Sequence, residues 1–245
     1  MFYTDFIEGR KIIRSDLLFG VEHFFTTREL CLFSKEADMT DNRRVVEEFL
    51  GQKMATNQPV HGINIEKVVS GKFFYADTDG LLLRKGCAAY MNFGDCVPVI
   101  LYCGDGGIIA HAGWRGTVNY ILGHTLDKMR ARYGTEGKEV IACIGPGISL
   151  SAFEVGDEVY EAFRKNGFQM DYISEWKPAT HKYHIDLWAA NRLQLLDFGV
   201  PSAQVETANI CTFTQYEEFF SARRMGIKSG RILSGIMLTH SNGLH

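Results

Sequence analysis

The sequence predicts an α+β fold in a single domain. Three observations carry that prediction. Short apolar runs split by Gly-Asp turns, CAAYMNF (87–93), VPVILYC (97–103) and GGIIAHA (106–112), have the length and composition of neighbouring buried strands. Amphipathic segments closed by glycine occur among them, such as TVNYILGHTLDKMRARYG (117–134). Hairpin-like strand pairs also mix with strand-helix units, unlike the regular alternation of a doubly wound sheet. No repeat, low-complexity tract or linker divides the 245 residues, and a hydrophobic content of 46% is enough for one large core.

The elements follow in order. VEHFFTTR (21–28) has strand character, and MTDNRRVVEEFLGQK supplies a helix. Thr40 or Asp41 caps that helix, Val45, Val46, Phe49 and Leu50 repeat at helical spacing, and Gly51 closes it. INIEKVVS (63–70) alternates like a half-buried strand. After the three apolar runs comes the helix 117–134, stopped by Gly134, then a strand EVIACIG (139–145) and a helix SAFEVGDEVYEAFRKNG (151–167). Asp186 caps LWAANRLQLLDFG, which ends on Gly199, and VETANIC (205–211) and RILSGIML (231–238) close the chain as strands.

Composition narrows the function classes. A net charge of −3 gives no electrostatic footprint for nucleic acid or an anionic membrane, so an anionic ligand would need a few placed cations. Six cysteines (31, 87, 96, 103, 143 and 211) form no CxxC pair, and MFYTDFIEGR is not a basic-then-apolar leader. No apolar run approaches a membrane span. The expectation is a cytoplasmic protein with reduced thiols, in which a special cysteine is a ligand or a nucleophile.

Three residues stand where they could share an ion. His61 precedes one expected strand, Cys96 precedes a second, and His111 ends a third. Thirty-five residues separate the first two and fifteen the last two, too far for a zinc finger but suited to strands meeting at one sheet end. Two neutral imidazoles and a thiolate suit zinc that keeps a fourth position open. Against this, a cysteine in an apolar run is ordinarily inert core, and a strand-end histidine commonly bonds a carbonyl. The neighbours Gly62, Asp95 and Trp114-Arg115, of little structural use, weigh towards a site.

PVHG, GDCVPV, HAGWRG, CIGPGIS with FEV, and CTFTQYEEFFSARR with a later SGR resemble the YfiH/YlmD-like family, also labelled polyphenol oxidase or laccase-domain. The motifs run from about residue 21 to 238. The resemblance implies a four-layer αββα sandwich, similar to the catalytic domain of cytotoxic necrotizing factor. It implies zinc on His61, Cys96 and His111. It implies phosphorolysis of inosine, adenosine and methylthioadenosine, with adenosine deamination at the same site. This chain departs from the pattern at Gly94, where alanine is usual, at Pro59, where glutamine is usual, and at Ala222, where the family has tyrosine. The last change bears on substrate preference.

Phosphorolysis needs an anion site, and arginine forks match phosphate. Arg28 and Arg43 match family positions and are first in line, with Arg115, Arg223 and Arg224 also available. Arg115 opens a helix and either holds substrate or braces the His111 turn, while Trp114 packs the junction. Asp95 orients a histidine or serves as an acid to the leaving base. Zinc deaminases use a glutamate shuttle, and no glutamate adjoins a proposed ligand. HKYH (181–184) reads as surface, and CIGPGIS as either a phosphate cradle or a plain Gly-Pro turn. His23, His124, His240 and His245 have no evident partners, and Glu154 and Cys211 have structural readings.

Three rivals remain at this stage. A His2Cys set beside Met91 suits copper, but eight histidines with no H-x-H cannot build the trinuclear cluster of a laccase. Cys96 and His111, with Asp95 or His61, also suit a cysteine hydrolase acting on a peptidoglycan precursor. A non-enzymatic interaction protein fits less well with His, Cys, Asp and Arg gathered at strand ends.

Overall fold

The computed structural model describes residues 1–30 and 40–240. Strands β1 (Phe2–Ile7), β2 (Arg10–Ser15) and β3 (Glu22–Thr26) open the chain, and helix α1 (Thr40–Leu50) follows. The cap expected from Thr40 or Asp41 lies outside the described residues. Short strands β4 (Thr56–Asn57), β5 (Ile65–Lys67) and β6 (Phe74–Tyr75) lead to β7 (Gly80–Arg84), β8 (Cys87–Phe93), β9 (Val97–Tyr102) and β10 (Gly106–Ala112). Next come α2 (Trp114–Val118), α3 (Ile121–Tyr133), β11 (Ile141–Ile144), β12 (Glu154–Val155), α4 (Asp157–Lys165), α5 (Met170–Ile173), β13 (Ser174–Lys177) and β14 (Lys182–Ile185). Helix α6 (Leu187–Asp197), β15 (Val205–Thr207), α7 (Ala222–Met225) and β16 (Ile232–Leu238) complete it.

Two sheets organise this mixed α/β molecule. One is antiparallel, β1-β2-β3-β16-β8; the other, β15-β11-β9-β10-β7-β5, has parallel pairs at both edges. The two-residue period of a strand sends alternate side chains into different cores. Thus Ile100 and Ile109 join Phe25, Met91, Phe93 and Ile236 between the sheets. Their neighbours Val99, Leu101, Ile108 and Ala110 pack under α3, α4 and α6. On the far side, Ala88, Tyr90 and Leu233 meet Val46 of α1. Strands buried on both faces read as continuous apolar runs, which is why 87–112 looks so uniform in sequence. Among the described residues no helix is long and apolar enough to cross a membrane.

The expected elements change in three places. β8 does not neighbour β9 and β10 in one sheet: it pairs with β16 in the facing sheet, while β9 and β10 pair with each other. The helix expected over 117–134 starts earlier, at Trp114, and is two helices. Asn119 closes the first by donating its side-chain amide to Arg115 O, and Tyr120 turns left-handed at φ 60. The stacking of Tyr120 on Phe168 and its hydroxyl bond to Asn166 O hold that break. The helix expected over 151–167 begins only at Asp157, because Glu154 and Val155 pair with β14. Asp157 and Glu158 then place negative charge at its N-terminal turn, where the helix dipole favours it. HKYH is not all surface either: His184 is buried in β14 and its Nδ1 bonds Leu150 O.

Candidate metal centre and cleft

His61, Cys96 and His111 converge. One ligand atom from each lies within 4.8 Å of the other two, and among the described residues they are the one group of three or more His, Cys, Asp or Glu side chains so placed. Each reaches the site from a different kind of support. His111 is on β10, buried, with its backbone N–H donating to Asp79 O. Cys96 is on the short connection that carries the chain from β8 in one sheet to β9 in the other. His61 is exposed on the loop after β4 and holds a left-handed backbone at φ 59, which costs a non-glycine residue about 1 kcal/mol or more.

Asp79 explains how that loop is held. Its fully buried carboxylate accepts from Val60 N at 3.0 Å and from Asn64 N at 3.2 Å, bracketing His61. The same residue's carbonyl takes the His111 amide, so one aspartate ties two of the three ligands together. The glycines of HAGWRG provide the space. A Cβ on Gly113 would stand 3.0 Å from Cys96 Sγ and 3.5 Å from His61 Cδ2, and one on Gly116 would stand 2.8 Å from Gly62 O. The hexapeptide is therefore small where the other two ligands come close.

The donor set fits a metal ion. Both ring nitrogens of His111 are buried with no hydrogen-bond partner among the described residues, a costly state for a polar ring unless something else engages it. Burial pulls the His111 pKa down to about 3, helped by the charges of His61 and Arg231, so the ring is neutral and able to donate a lone pair. Burial, and next the charge of Asp95, push the Cys96 thiol up to about 12. Only a cation placed against the sulfur would make the thiolate the favoured form. Two imidazole nitrogens and a thiolate sulfur within 4.8 Å of one another are the donor types that zinc takes.

The three donors form the floor of a cleft of about 710 Å³. Arg43 of α1, Tyr90 and Asn92 of β8, Thr56 and Asn57 of β4, Phe74, Ile227 and Arg231 are on its walls. Ala222, one of the positions where the sequence departs from the resembled pattern, also lines it. Arg43 pairs with Glu47 at 3.1 Å and with Tyr90, and its side chain is a third exposed. Arg231 was part of the SGR motif but was not singled out as a site residue. Its guanidinium donates to the carbonyls of Ile227, Ser229 and Gly230, and Gly94 leaves room for its stem. The signal for it was present, as an arginine kept behind a Ser-Gly turn; what the sequence lacks is the fold that swings this turn over Cys96.

The other expected residues stand elsewhere. Arg28, the other arginine first in line for phosphate, stacks on Phe220 and donates to Tyr216 O, away from the cleft lining. Arg115 is exposed and lies over the Trp114 ring, 4.4 Å from its centroid, while Trp114 packs on the helical core. Arg223 donates to Glu154 O, and Arg224 stacks on Tyr216. Asp95, at φ 82, turns its carboxylate to Thr212 Oγ1 at 2.7 Å and Arg223 N at 2.6 Å, rather than to either histidine. The CIGPGIS loop is no phosphate cradle: the amides of Gly145, Gly147 and Ile148 donate to Pro98, Ile210 and Asp95 carbonyls. Met91 is buried between the sheets and does not line the cleft.

The model of the multi-copper polyphenol oxidoreductase laccase family matches residues 31–239. The chain belongs to this family. Over 163 residues, a purine nucleoside phosphorylase from Bacteroides thetaiotaomicron is 61% identical to this laccase-family chain, covering 65% of the chain and 60% of that protein. Adenosine deaminase RL5, from an unknown prokaryotic organism, is 45% identical over 161 residues, 64% of the chain and 61% of that protein. The chain thus spans about three-fifths of the length of these two curated relatives. The crystal structure of YlmD from Geobacillus stearothermophilus matches with a TM-score of 0.84 at 28% identity, covering 94% of this chain and 96% of that one. The laccase-family chain shares the fold of that structure. The expected resemblance to YfiH/YlmD proteins holds, and relatives of the chain are nucleoside-processing enzymes by name.

Proposed function

We propose that this chain is a zinc-dependent purine nucleoside phosphorylase that converts inosine, adenosine and methylthioadenosine with phosphate into the free base and the corresponding sugar 1-phosphate. The observation that carries the reading is the pairing of the His61–Cys96–His111 centre with a cleft that has a cation on its wall. The cleft volume of about 710 Å³ suits a nucleoside with phosphate beside it. Zinc, when bound, supplies positive charge and Lewis acidity at the cleft floor.

The rest falls to the chain itself. A phosphate oxygen bonds to C1′ as the C1′–N9 bond breaks; the electron pair leaves with the base, which takes up a proton. Arg43 neutralises the incoming phosphate from the cleft wall. Arg231, tethered by three carbonyls, holds a fixed positive charge near Cys96 and His111 and does not swing. Phe74, Tyr90 and Ile227 offer apolar surface to the departing base. The layering of helices, two sheets and α1 also supports the αββα sandwich, and with it the likeness to the cytotoxic necrotizing factor catalytic domain.

Phosphate-dependent release of hypoxanthine from inosine, with metal content assayed in parallel, tests this. Cys96→Ala is expected to lose the metal and at least ~100-fold in turnover, as loss of a metal ligand costs more than the 10–100-fold of an outer-shell change. Unchanged turnover in that variant overturns the mechanism. Chelation followed by zinc separates the main rival: activity lost and restored supports the metal, whereas a metal-free, active protein killed by alkylation supports a cysteine nucleophile.

Adenosine deamination is a second reading, favoured by the name of the RL5 relative. Among the described residues no glutamate is on the cleft lining to shuttle protons, so its test is ammonia release from adenosine in the absence of phosphate. Copper oxidase chemistry has less support, because the described residues form one three-donor group and a multicopper enzyme needs several.

A further inference from the structure

Helix α1 carries the same kind of ion pair twice. Arg44 and Glu48, four residues apart, meet at 3.6 Å with 70% and 69% of their side chains exposed. That is an ordinary surface pair, screened by water and worth little. Arg43 and Glu47, one position earlier, meet at 3.1 Å with only 33% and 15% exposed. Arg43, unlike Arg44, lines the metal cleft. The inner pair is also tied at both ends. One oxygen of Glu47, Oε1, accepts from Arg43 Nε and, at 2.8 Å, from the backbone N–H of Met54. Met54 is two residues ahead of β4 and is buried in the same cluster as Val46, the neighbour of Glu47. The carboxylate is thus fastened to the framework. At the other end, Arg43 bonds the side chain of Tyr90, itself on the cleft lining.

Glu47 has two opposed effects on an anion that comes to Arg43. Its negative charge repels the anion, and its grip holds a long side chain still before the anion arrives. A guanidinium has five N–H donors; with Nε taken by Glu47, those that remain are on the two terminal nitrogens, a fork that matches two phosphate oxygens. The carboxylate therefore stands off from the anion, and its repulsion acts across an open cleft where screening is strong. Ordering a rotamer-rich side chain only at the moment of binding, by contrast, lowers affinity roughly 2- to 12-fold. Position outweighs charge.

We propose that Glu47 is a positioning residue: by joining Arg43 Nε to the Met54 amide, it sets the guanidinium in place for phosphate. This rests on the phosphorolysis reading of the cleft, with Arg43 as phosphate holder, and adds the residue that orients it. A Glu47 that served structure alone would lower the melting temperature on substitution and leave the phosphate KM where it is.

The experiment separates position from charge. Glu47→Asp keeps the charge and withdraws the oxygen by one methylene, whereas Glu47→Gln keeps an oxygen in place and removes the charge. Glu48→Asp, on the exposed pair, is the control. The zinc-loaded proteins are compared by phosphate KM and kcat at saturating inosine, and by calorimetric affinity for inorganic phosphate alone. Glu47→Asp is expected to raise the phosphate KM and Kd roughly 3- to 10-fold with kcat within about twofold of wild type. Glu47→Gln and Glu48→Asp are expected to stay within about twofold on both measures, and Arg43→Ala to weaken phosphate at least ~10-fold. Wild-type phosphate binding in Glu47→Asp, beside a weakened Arg43→Ala, overturns this proposal alone. A Glu47→Gln variant weakened as much as Glu47→Asp also overturns it, because charge is then the cause. Unchanged phosphate binding in Arg43→Ala removes the phosphate holder and this proposal with it. A wild type that releases no base sinks the phosphorylase reading, and the phosphate affinities of the same proteins still decide this one.

Discussion

Gly113 shows how a single absent side chain sets a metal site. Its hydrogen faces Cys96 Sγ where a methyl group would sit 3.0 Å away, tighter than sulfur tolerates without moving. Gly113→Ala is expected to displace the sulfur, lowering zinc affinity about tenfold or more while the melting temperature of the metal-free protein changes little; a competitive chelator titration measures it. His23 illustrates a different residue-scale effect. It is buried, with Nε2 accepting from Ser15 N and Nδ1 bonded to Val21 O, and burial lowers its pKa from 6.5 to about 4. The unfolded chain therefore binds the proton more readily than the folded one. The stabilisation is present above pH 6.5 and is lost as pH falls towards 4, up to about 3 kcal/mol. A plot of unfolding free energy against pH is expected to fall through that window in wild type and to be flatter there in His23→Gln. At this scale the three donors were legible only through their neighbours and the motifs around them, since a lone strand-end histidine or apolar-flanked cysteine is ordinarily structural. Asp79 was not, because an aspartate near a turn is ordinary until its partners can be seen.

At the scale of elements, the turn that carries His61 between β4 and β5 is held by one carboxylate, that of Asp79. Asp79→Ala removes the acceptor for Val60 N and Asn64 N and frees the left-handed turn at His61 to relax. Zinc affinity is expected to fall roughly 10- to 100-fold, in the range seen for groups that orient a ligand from behind. Asp79→Asn, which keeps one acceptor oxygen, is expected to recover part of that loss. Isothermal titration of both variants with zinc reads the difference; equal affinity in wild type and Asp79→Ala would remove the brace from the argument. The elements most legible in sequence were those with punctuation. Asp186 caps α6 by accepting from Ala189 N, and Gly134 and Gly199 stop helices at φ 69 and φ 95. The break at Tyr120 was hidden, because a tyrosine in a left-handed turn is held there by Phe168 and Asn166, more than forty residues away in sequence.

For the whole molecule, the centre joins parts that the chain order separates. Cys96 is on the connection between the two sheets, His111 belongs to the six-stranded one, and Asp79 and β5 tie His61 to that same sheet. An ion bound only by the folded arrangement stabilises it by mass action, about 2.7 kcal/mol at a hundredfold excess over Kd. Zinc is expected to raise the melting temperature of wild type by roughly 5–10 °C and to leave Cys96→Ala unmoved, which scanning calorimetry would show. Sheet partnership was the part of the fold that sequence could not supply. Runs 87–93, 97–103 and 106–112 look alike because each is buried on both faces, and nothing in them says that the first crosses to the other sheet. The 2–15 hairpin and the 80–84 strand also went unassigned, although β1 and β7 each pair over five or six residues.

Two of the three donors are rooted in the framework, while His61 hangs on an exposed, turned-back loop. The centre therefore has one solvent-facing corner. An ion would be held on that side by His61, and on the framework side by the Cys96 sulfur and the His111 imidazole. His61→Ala is accordingly a leak more than a blockade: the residence time of the metal shortens while its rate of entry stays nearly the same.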